Sequence, residues 1–103
     1  MIVNPKGRVL TKKELIKGVK GADALLCLLT DKIDRDVIKA NPNLKIIANY
    51  AVGFDNIDVK EATKHGILVT NAVGHVNQAV AEHTFALMLA VSKRIVEADR
   101  FTR

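Results

Sequence analysis

Lys45-Ile46-Ile47-Ala48-Asn49-Tyr50-Ala51-Val52-Gly53-Phe54-Asp55-Asn56-Ile57-Asp58 decides the fold. Its first residues form a short apolar run of the kind that makes a buried strand. Its last residue, Asp58, opens Asp58-Val59-Lys60-Glu61, an acidic helix-cap pattern. Between them lies a short loop with Gly53 at its bend. In an open α/β sheet, ligands bind where strands end and such loops begin. A glycine there allows close backbone approach, and outward N–H groups suit a small carboxylate or phosphate. The same geometry also serves as a plain strand-to-helix turn.

The flanking chain repeats the pattern. Thr11-Lys12-Lys13-Glu14 is a capping box, so a helix starts there, burying Leu15, Ile16 and Val19 and ending at Gly18 or Gly21. Ala24 to Leu29 is a continuous apolar run, the mark of a strand covered on both faces. Asp34 to Ala40 is a short helix with Val37 and Ile38 inward, stopped by Asn41-Pro42-Asn43. Gly66 suits the left-handed position after the next helix, and Ile67 to Thr70 is the last strand. Met1 to Asn4 reads as a strand stub ended by Pro5 and Gly7. Strands alternating with helices imply right-handed β-α-β units and a small parallel α/β sheet.

The final segment differs. No proline or glycine occurs from Val76 to Phe101. Val80, Thr84, Leu87, Val91, Ile95 and Ala98 form a stripe at helical spacing, and Lys93→Glu97 and Asp99→Arg103 are supporting charge pairs. One helix of this length spans roughly 35–40 Å. A domain this size has a radius of gyration of about 13 Å, so the helix is expected to overhang it and meet something else. The expected division is residues 1–75 and residues 76–103.

Composition excludes several classes. One cysteine allows no internal disulfide and fits a reducing, cytoplasmic setting. Cys27, inside Leu25-Leu26-Cys27-Leu28-Leu29, reads as a buried, inert thiol. No apolar run suggests a membrane span. The net charge of +5 comes from Lys6, Arg8, Lys12, Lys13, Lys17 and Lys20 against Glu14, while the remaining residues balance. That excess reads as a solvated face. With 4% aromatic residues and no basic–aromatic interleaving, a nucleic-acid platform is not indicated.

Asn49 to Asp58 resembles the substrate loop of the D-2-hydroxyacid dehydrogenases, nearest to the glyoxylate/hydroxypyruvate reductase branch. Gly21 to Asp31 resembles the family's preceding strand and loop, and Gly66 to Asn71 its next strand. Ala79-Val80-Ala81-Glu82-His83-Thr84 resembles the opening of its long interdomain helix. The resemblance implies a truncated flavodoxin-like sheet followed by a long C-terminal helix. It implies a parent that uses NAD or NADP to reduce 2-oxo acids by hydride transfer. It places the substrate carboxylate on the backbone N–H groups of Val52 and Gly53, Leu28 and Leu29 in the pocket wall, Tyr50 nearby, and Thr84 toward the nicotinamide.

In the family the substrate-binding arginine, and the histidine that a glutamate orients, belong to the cofactor domain and its continuation. These 103 residues contain no G-x-G-x-x-G, and His65, His75 and His83 do not match the catalytic position. No catalytic residue or metal ligand is therefore assigned here, Thr84 is the cofactor contact that the resemblance implies, and the isolated chain is expected to be inactive. Two departures stand out. Ala72-Val73-Gly74 replaces the family's usual Thr-Pro-Gly. Family members also carry a strand and helix upstream of this Met1 and a later C-terminal segment. An open strand edge invites association, so a homodimer or a swapped dimer that also uses the long helix is expected. The rival reading is a non-catalytic, self-associating α/β module, natural or engineered. A phospho-acceptor receiver shares the strand order, but Asp31 alone does not supply its acidic constellation.

Overall fold

The computed structural model describes residues 1, 3–74 and 76–103. The chain divides into two units, Met1–Ala72 and Val73–Arg103.

In the first unit, helices α1 (Lys12–Val19), α2 (Arg35–Lys39) and α3 (Val59–Lys64) alternate with strands β1 (Ala24–Cys27), β2 (Ile46–Asn49) and β3 (Leu68–Asn71). The strands form one parallel sheet in the order β1-β2-β3. Cys27, Asn49 and Asn71, the last residue of each strand, are register partners across it. An isolated parallel bridge between Ile33 and Ile57 joins the segments beyond β1 and β2.

Capping chemistry sets the helix starts. Thr11 accepts from the Glu14 N–H while Glu14 reaches back to the Thr11 N–H, closing the expected capping box. Asp34 and Asp58 cap α2 and α3 through their side chains. Gly21 and Gly66 adopt φ of +75° and +68° beyond α1 and α3, where a Cβ would be strained. Asn41 is buried and donates to Val19 O at 2.8 Å and Ala22 O at 2.6 Å, fastening the end of α1.

The core comprises Leu15, Val19, Cys27, Ile33, Val37, Ile38, Leu44, Ile47, Ile57, Ala62 and Ile67. It covers one face of the sheet only. Leu26 is 73% exposed and Leu68 67% exposed on the other. The expectation of a strand covered on both faces is therefore corrected. Right-handed crossovers that step the same way across a sheet put their helices on one side. α2 and α3 are two such crossovers.

Other local expectations also change. β1 ends at Cys27, leaving Leu28 and Leu29 in the turn that follows. The Met1–Asn4 stub forms no strand among its described residues, and Ile2 lies outside them. The basic residues of the leader and α1 are all exposed, as expected of a solvated face, and three of them make surface ion pairs. Lys6 and Arg8 converge on Glu14, and Lys12 bridges Asp34 at 2.8 Å and Asp36 at 2.5 Å. Hydrogen bonds from Arg8, Lys6 and Thr11 hold the Glu14 carboxyl well below the usual carboxylate range.

The second unit contains α4 (Val76–Ser92) and α5 (Ile95–Thr102). The single helix expected from Val76 to Phe101 is broken at Lys93–Arg94. Arg94 takes the left-handed conformation, φ 51° and ψ 39°. Its N–H turns back to Val91 O at 3.1 Å. Glu97 consequently pairs with Arg94 rather than Lys93, whereas the Asp99–Arg103 pair forms at 3.0 Å. α4 alone spans about 26 Å. Neither helix contains a buried residue.

Candidate functional site

The carboxyl ends of the strands carry the loops that can receive a ligand. After β1, Leu28 to Asp31 make a tight turn: the Asp31 N–H donates to Leu28 O at 3.0 Å, and the Leu28 N–H to the Asp31 carboxylate at 2.9 Å. That use of Asp31 as a turn cap accounts for it without a phospho-acceptor role. After β2, the Tyr50 N–H donates to Cys27 O at 2.8 Å, holding the start of the second loop against the end of β1.

Within the second loop, four consecutive carbonyls are taken by protein donors. Ala72 N–H reaches Ala51 O at 2.9 Å and Asn71 Nδ2 reaches Val52 O at 2.7 Å. Asn49 Nδ2 reaches Gly53 O at 2.7 Å and Ile57 N–H reaches Phe54 O at 3.0 Å. Among the described residues, the N–H groups of Ala51 through Asp55 have no protein partner. Unpaired backbone donors next to paired acceptors are suited to an anion.

The side chains around this loop are apolar and open. A Cβ placed on Gly53 would lie 3.8 Å from Leu29 Cδ2, an ordinary contact, so the loop rests on Leu29. Gly53 has no positive φ. Leu28, Leu29, Tyr50 and Phe54 are each at least half exposed. Gly53 thus adjoins the β1 loop, while Tyr50 stands out toward solvent.

Thr84 lies in α4 of the second unit, where its hydroxyl donates to Val80 O at 2.7 Å. Of the histidines, His65 closes α3 with Nδ1 2.9 Å from Glu61 O. His83 is an exposed residue of α4, and His75 lies outside the described residues. Glu61 is 6% exposed, with Arg35 at 3.5 Å, Lys39 at 3.8 Å, Lys64 at 3.3 Å and the His65 ring at 3.8 Å. This is a surface-capped ion cluster joining α2 to α3. Among the described residues no group of three or more His, Cys, Asp or Glu side chains could hold a metal. An open depression of about 710 Å³ lies at the opposite, amino-terminal ends of the strands, lined by Asp23, Lys45, Gly66 and Leu68 among others.

Sequence reading found the loop but not the asparagines that shape it. Asn49 is 3% exposed and exchanges two hydrogen bonds with Asn56, Nδ2→Oδ1 at 3.1 Å and Oδ1←Nδ2 at 3.3 Å. Asn56 Nδ2 also faces Leu28 O at 3.0 Å and Asp31 O at 3.1 Å. The Cys27 thiol, 3.4 Å from Asn49 Oδ1, closes the network from below. The available signal was parity: Asn49 shares a sheet face with the buried Ile47.

In open parallel α/β units, small ligands bind at the loops beyond the carboxyl ends of the strands. The model of the D-isomer specific 2-hydroxyacid dehydrogenase catalytic domain matches residues 3–98, and the chain belongs to that family. A glyoxylate reductase of Thermofilum pendens is 57% identical over 93 residues, which cover 90% of this chain and 27% of that protein. The crystal structure of the TT0316 protein from Thermus thermophilus superposes with a TM-score of 0.77 at 42% identity, covering 94% of this chain and 31% of that one. A D-lactate dehydrogenase from Aquifex aeolicus, solved with NAD and lactic acid, gives 0.70 at 38% identity over 78% of this chain and 24% of its own. The chain therefore spans less than a third of these relatives.

Proposed function

We propose that residues 1–72 are the substrate-receiving part of an NAD(P)-dependent 2-oxo acid reductase of the glyoxylate reductase kind. The observation that carries this reading is the loop in which four carbonyls are bound by protein and the adjoining N–H groups are left open. The Val52 and Gly53 N–H groups donate to the substrate carboxylate, replacing the water it loses with fixed dipoles. Leu28 and Leu29 shield one side of the substrate, and Tyr50 borders the entrance. Thr84 belongs to the nicotinamide side by family likeness. A bound NAD or NADP supplies the hydride. These 103 residues contain no dinucleotide fingerprint, so the chain alone binds the acid without reducing it.

Titration of the ¹⁵N-labelled chain with oxalate, a non-reacting mimic of glyoxylate, tests the reading. Saturable shifts centred on the Val52 and Gly53 amides are expected, with no NADH oxidation when glyoxylate and pure chain are mixed. Absence of a saturable response at these amides overturns it.

A second reading concerns assembly. Val76, Val80, Phe85, Leu87, Met88, Leu89 and Val91 of α4 are all more than half exposed. Their distribution around the helix is that of a buried element rather than a surface one. Together with the open sheet face at Leu26 and Leu68, this supports self-association in the reducing cytoplasm, as a homodimer formed side by side or by exchange of segments. Light scattering at micromolar concentration is expected to give twice the chain mass.

A further inference from the structure

We propose that Asn49 and Asn71 are positioning residues that aim the loop's N–H groups outward, with Asn56 locking that loop to the one after β1. The inference rests on the reading that this loop receives a carboxylate, and it deepens it by naming what sets the donor directions.

The argument begins with the peptide plane. In a trans peptide the carbonyl of one residue and the N–H of the next point in opposite directions. Fixing a carbonyl inward therefore fixes the following N–H outward. Asn71 Nδ2 holds Val52 O at 2.7 Å, which sets the Gly53 N–H. Asn49 Nδ2 holds Gly53 O at 2.7 Å, which sets the Phe54 N–H. The Ala72 N–H, at 2.9 Å from Ala51 O, does the same for Val52 from the backbone.

Register puts these two side chains where they are needed. Asn49 and Asn71 are Cα partners at the carboxyl end of the sheet, one row with Cys27. Each is the last residue of its strand, so each reaches past the ladder to a neighbouring loop carbonyl. The chemistry requires an amide. Val52 O and Gly53 O are acceptors, so the group facing each must donate, while Asn49 must also accept from Asn56 and Cys27. Aspartate fails the first demand and a hydroxyl cannot span the whole set. The acceptors Leu28 O and Asp31 O fix the orientation of the Asn56 amide in the same way. The two loops that carry Leu28, Leu29, Val52 and Gly53 are thereby joined through side chains as well as through the Ile33–Ile57 bridge.

The test uses the full 103-residue chain with oxalate as the probe, comparing wild type, Asn71→Ala, Asn49→Ala and Asn41→Ala. Asn71 is exposed, so its variant is expected to fold and melt close to wild type. Loss of one oriented donor is expected to weaken oxalate binding about tenfold. Asn41→Ala removes two buried hydrogen bonds at the far end of α1. It should lower the melting temperature and leave oxalate affinity unchanged. ¹⁵N order parameters at Gly53 and Phe54 supply a ligand-free readout. They should match β2 in wild type and fall in the Asn71→Ala and Asn49→Ala variants. Unchanged order parameters, or Asn71→Ala binding oxalate as wild type does, overturns the positioning role. If wild type shows no saturable response but order falls in the variants, the positioning stands and the carboxylate reading fails.

Discussion

The two units treat apolar side chains in opposite ways. Among its described residues, Met1–Ala72 buries eleven of them behind one face of a three-stranded sheet. Val73–Arg103 buries none, although α4 carries Phe85, Leu87, Met88 and Leu89 in close succession. The difference lies in what each chain segment meets. Parallel strands and their crossovers bring sequence-distant residues around one point, so Ile33, Ile38 and Ile47 are enclosed completely. Two consecutive helices of 17 and 8 residues offer too few neighbours to enclose a side chain. Apolar sequence is a capacity for burial, and topology decides whether that capacity is met within the unit.

The sharpest way to break this contrast is to truncate one side chain in each unit. Ile47 is 0% exposed, and Ile47→Ala is expected to lower stability by about 2–5 kcal/mol through lost transfer energy and a cavity. Met88 is 61% exposed in the single chain, so at concentrations too low for self-association Met88→Ala should change stability by less than about 0.5 kcal/mol. Urea unfolding of both variants reads the difference. If Met88→Ala is as damaging as Ile47→Ala, α4 is covered in solution. A melting temperature that rises with protein concentration would then identify a second copy as the cover.

A smaller effect concerns how the enclosed unit responds to pH. Burial, assisted by the Asp31 carboxylate, pushes the Cys27 thiol from about 9 up to about 11. The folded state therefore keeps its proton where the unfolded chain has lost it. Stability from this group is complete below pH 9 and is lost as pH rises toward 11. By linkage the loss is on the order of 2 kcal/mol. Urea midpoints measured from pH 8 to pH 11 should fall more steeply for wild type than for Cys27→Ala, which has no thiol to ionise. Parallel profiles would mean that Cys27 is reached by solvent, and the enclosure of this end of the core would have to be revised.

Local chemistry was legible in the sequence wherever it depends on near neighbours. Thr11 with Glu14, Asp34, Asp58 and Gly66 mark helix ends through contacts within about four residues, and each appears where expected. The loop from Asn49 to Asp58 was legible as a candidate ligand site for the same reason. What escaped depends on distant partners. The apolar run Ala24–Leu29 carries no record of which side the crossovers take, so the open face at Leu26 could not be read from it. Asn49 and Asn71 look like ordinary strand-end residues until the strand register pairs them. Their hold on Gly53 O and Val52 O then becomes visible.

The break at Arg94 offers the finest discrimination, because the sign of one substitution decides it. Nothing in Val91-Ser92-Lys93-Arg94-Ile95 is a helix breaker, and the continuous stripe argues for one helix. The structure instead places Arg94 at φ 51°, where an L-residue loses roughly 1–2 kcal/mol to contact between its Cβ and the backbone. Glycine has no such contact. It would forfeit the Arg94–Glu97 pair, but both partners are well exposed and such pairs contribute about 0–1 kcal/mol. Arg94→Gly is therefore expected to stabilise the broken arrangement by a few tenths to about 1 kcal/mol, with far-UV helicity unchanged. In a continuous helix the same change would destabilise by about 1 kcal/mol and reduce helicity. A rise in the midpoint of the helical melting signal keeps α4 and α5 separate. A fall would restore the single long helix that the sequence pattern suggests and would extend the apolar stripe of the second unit through Ile95 and Ala98.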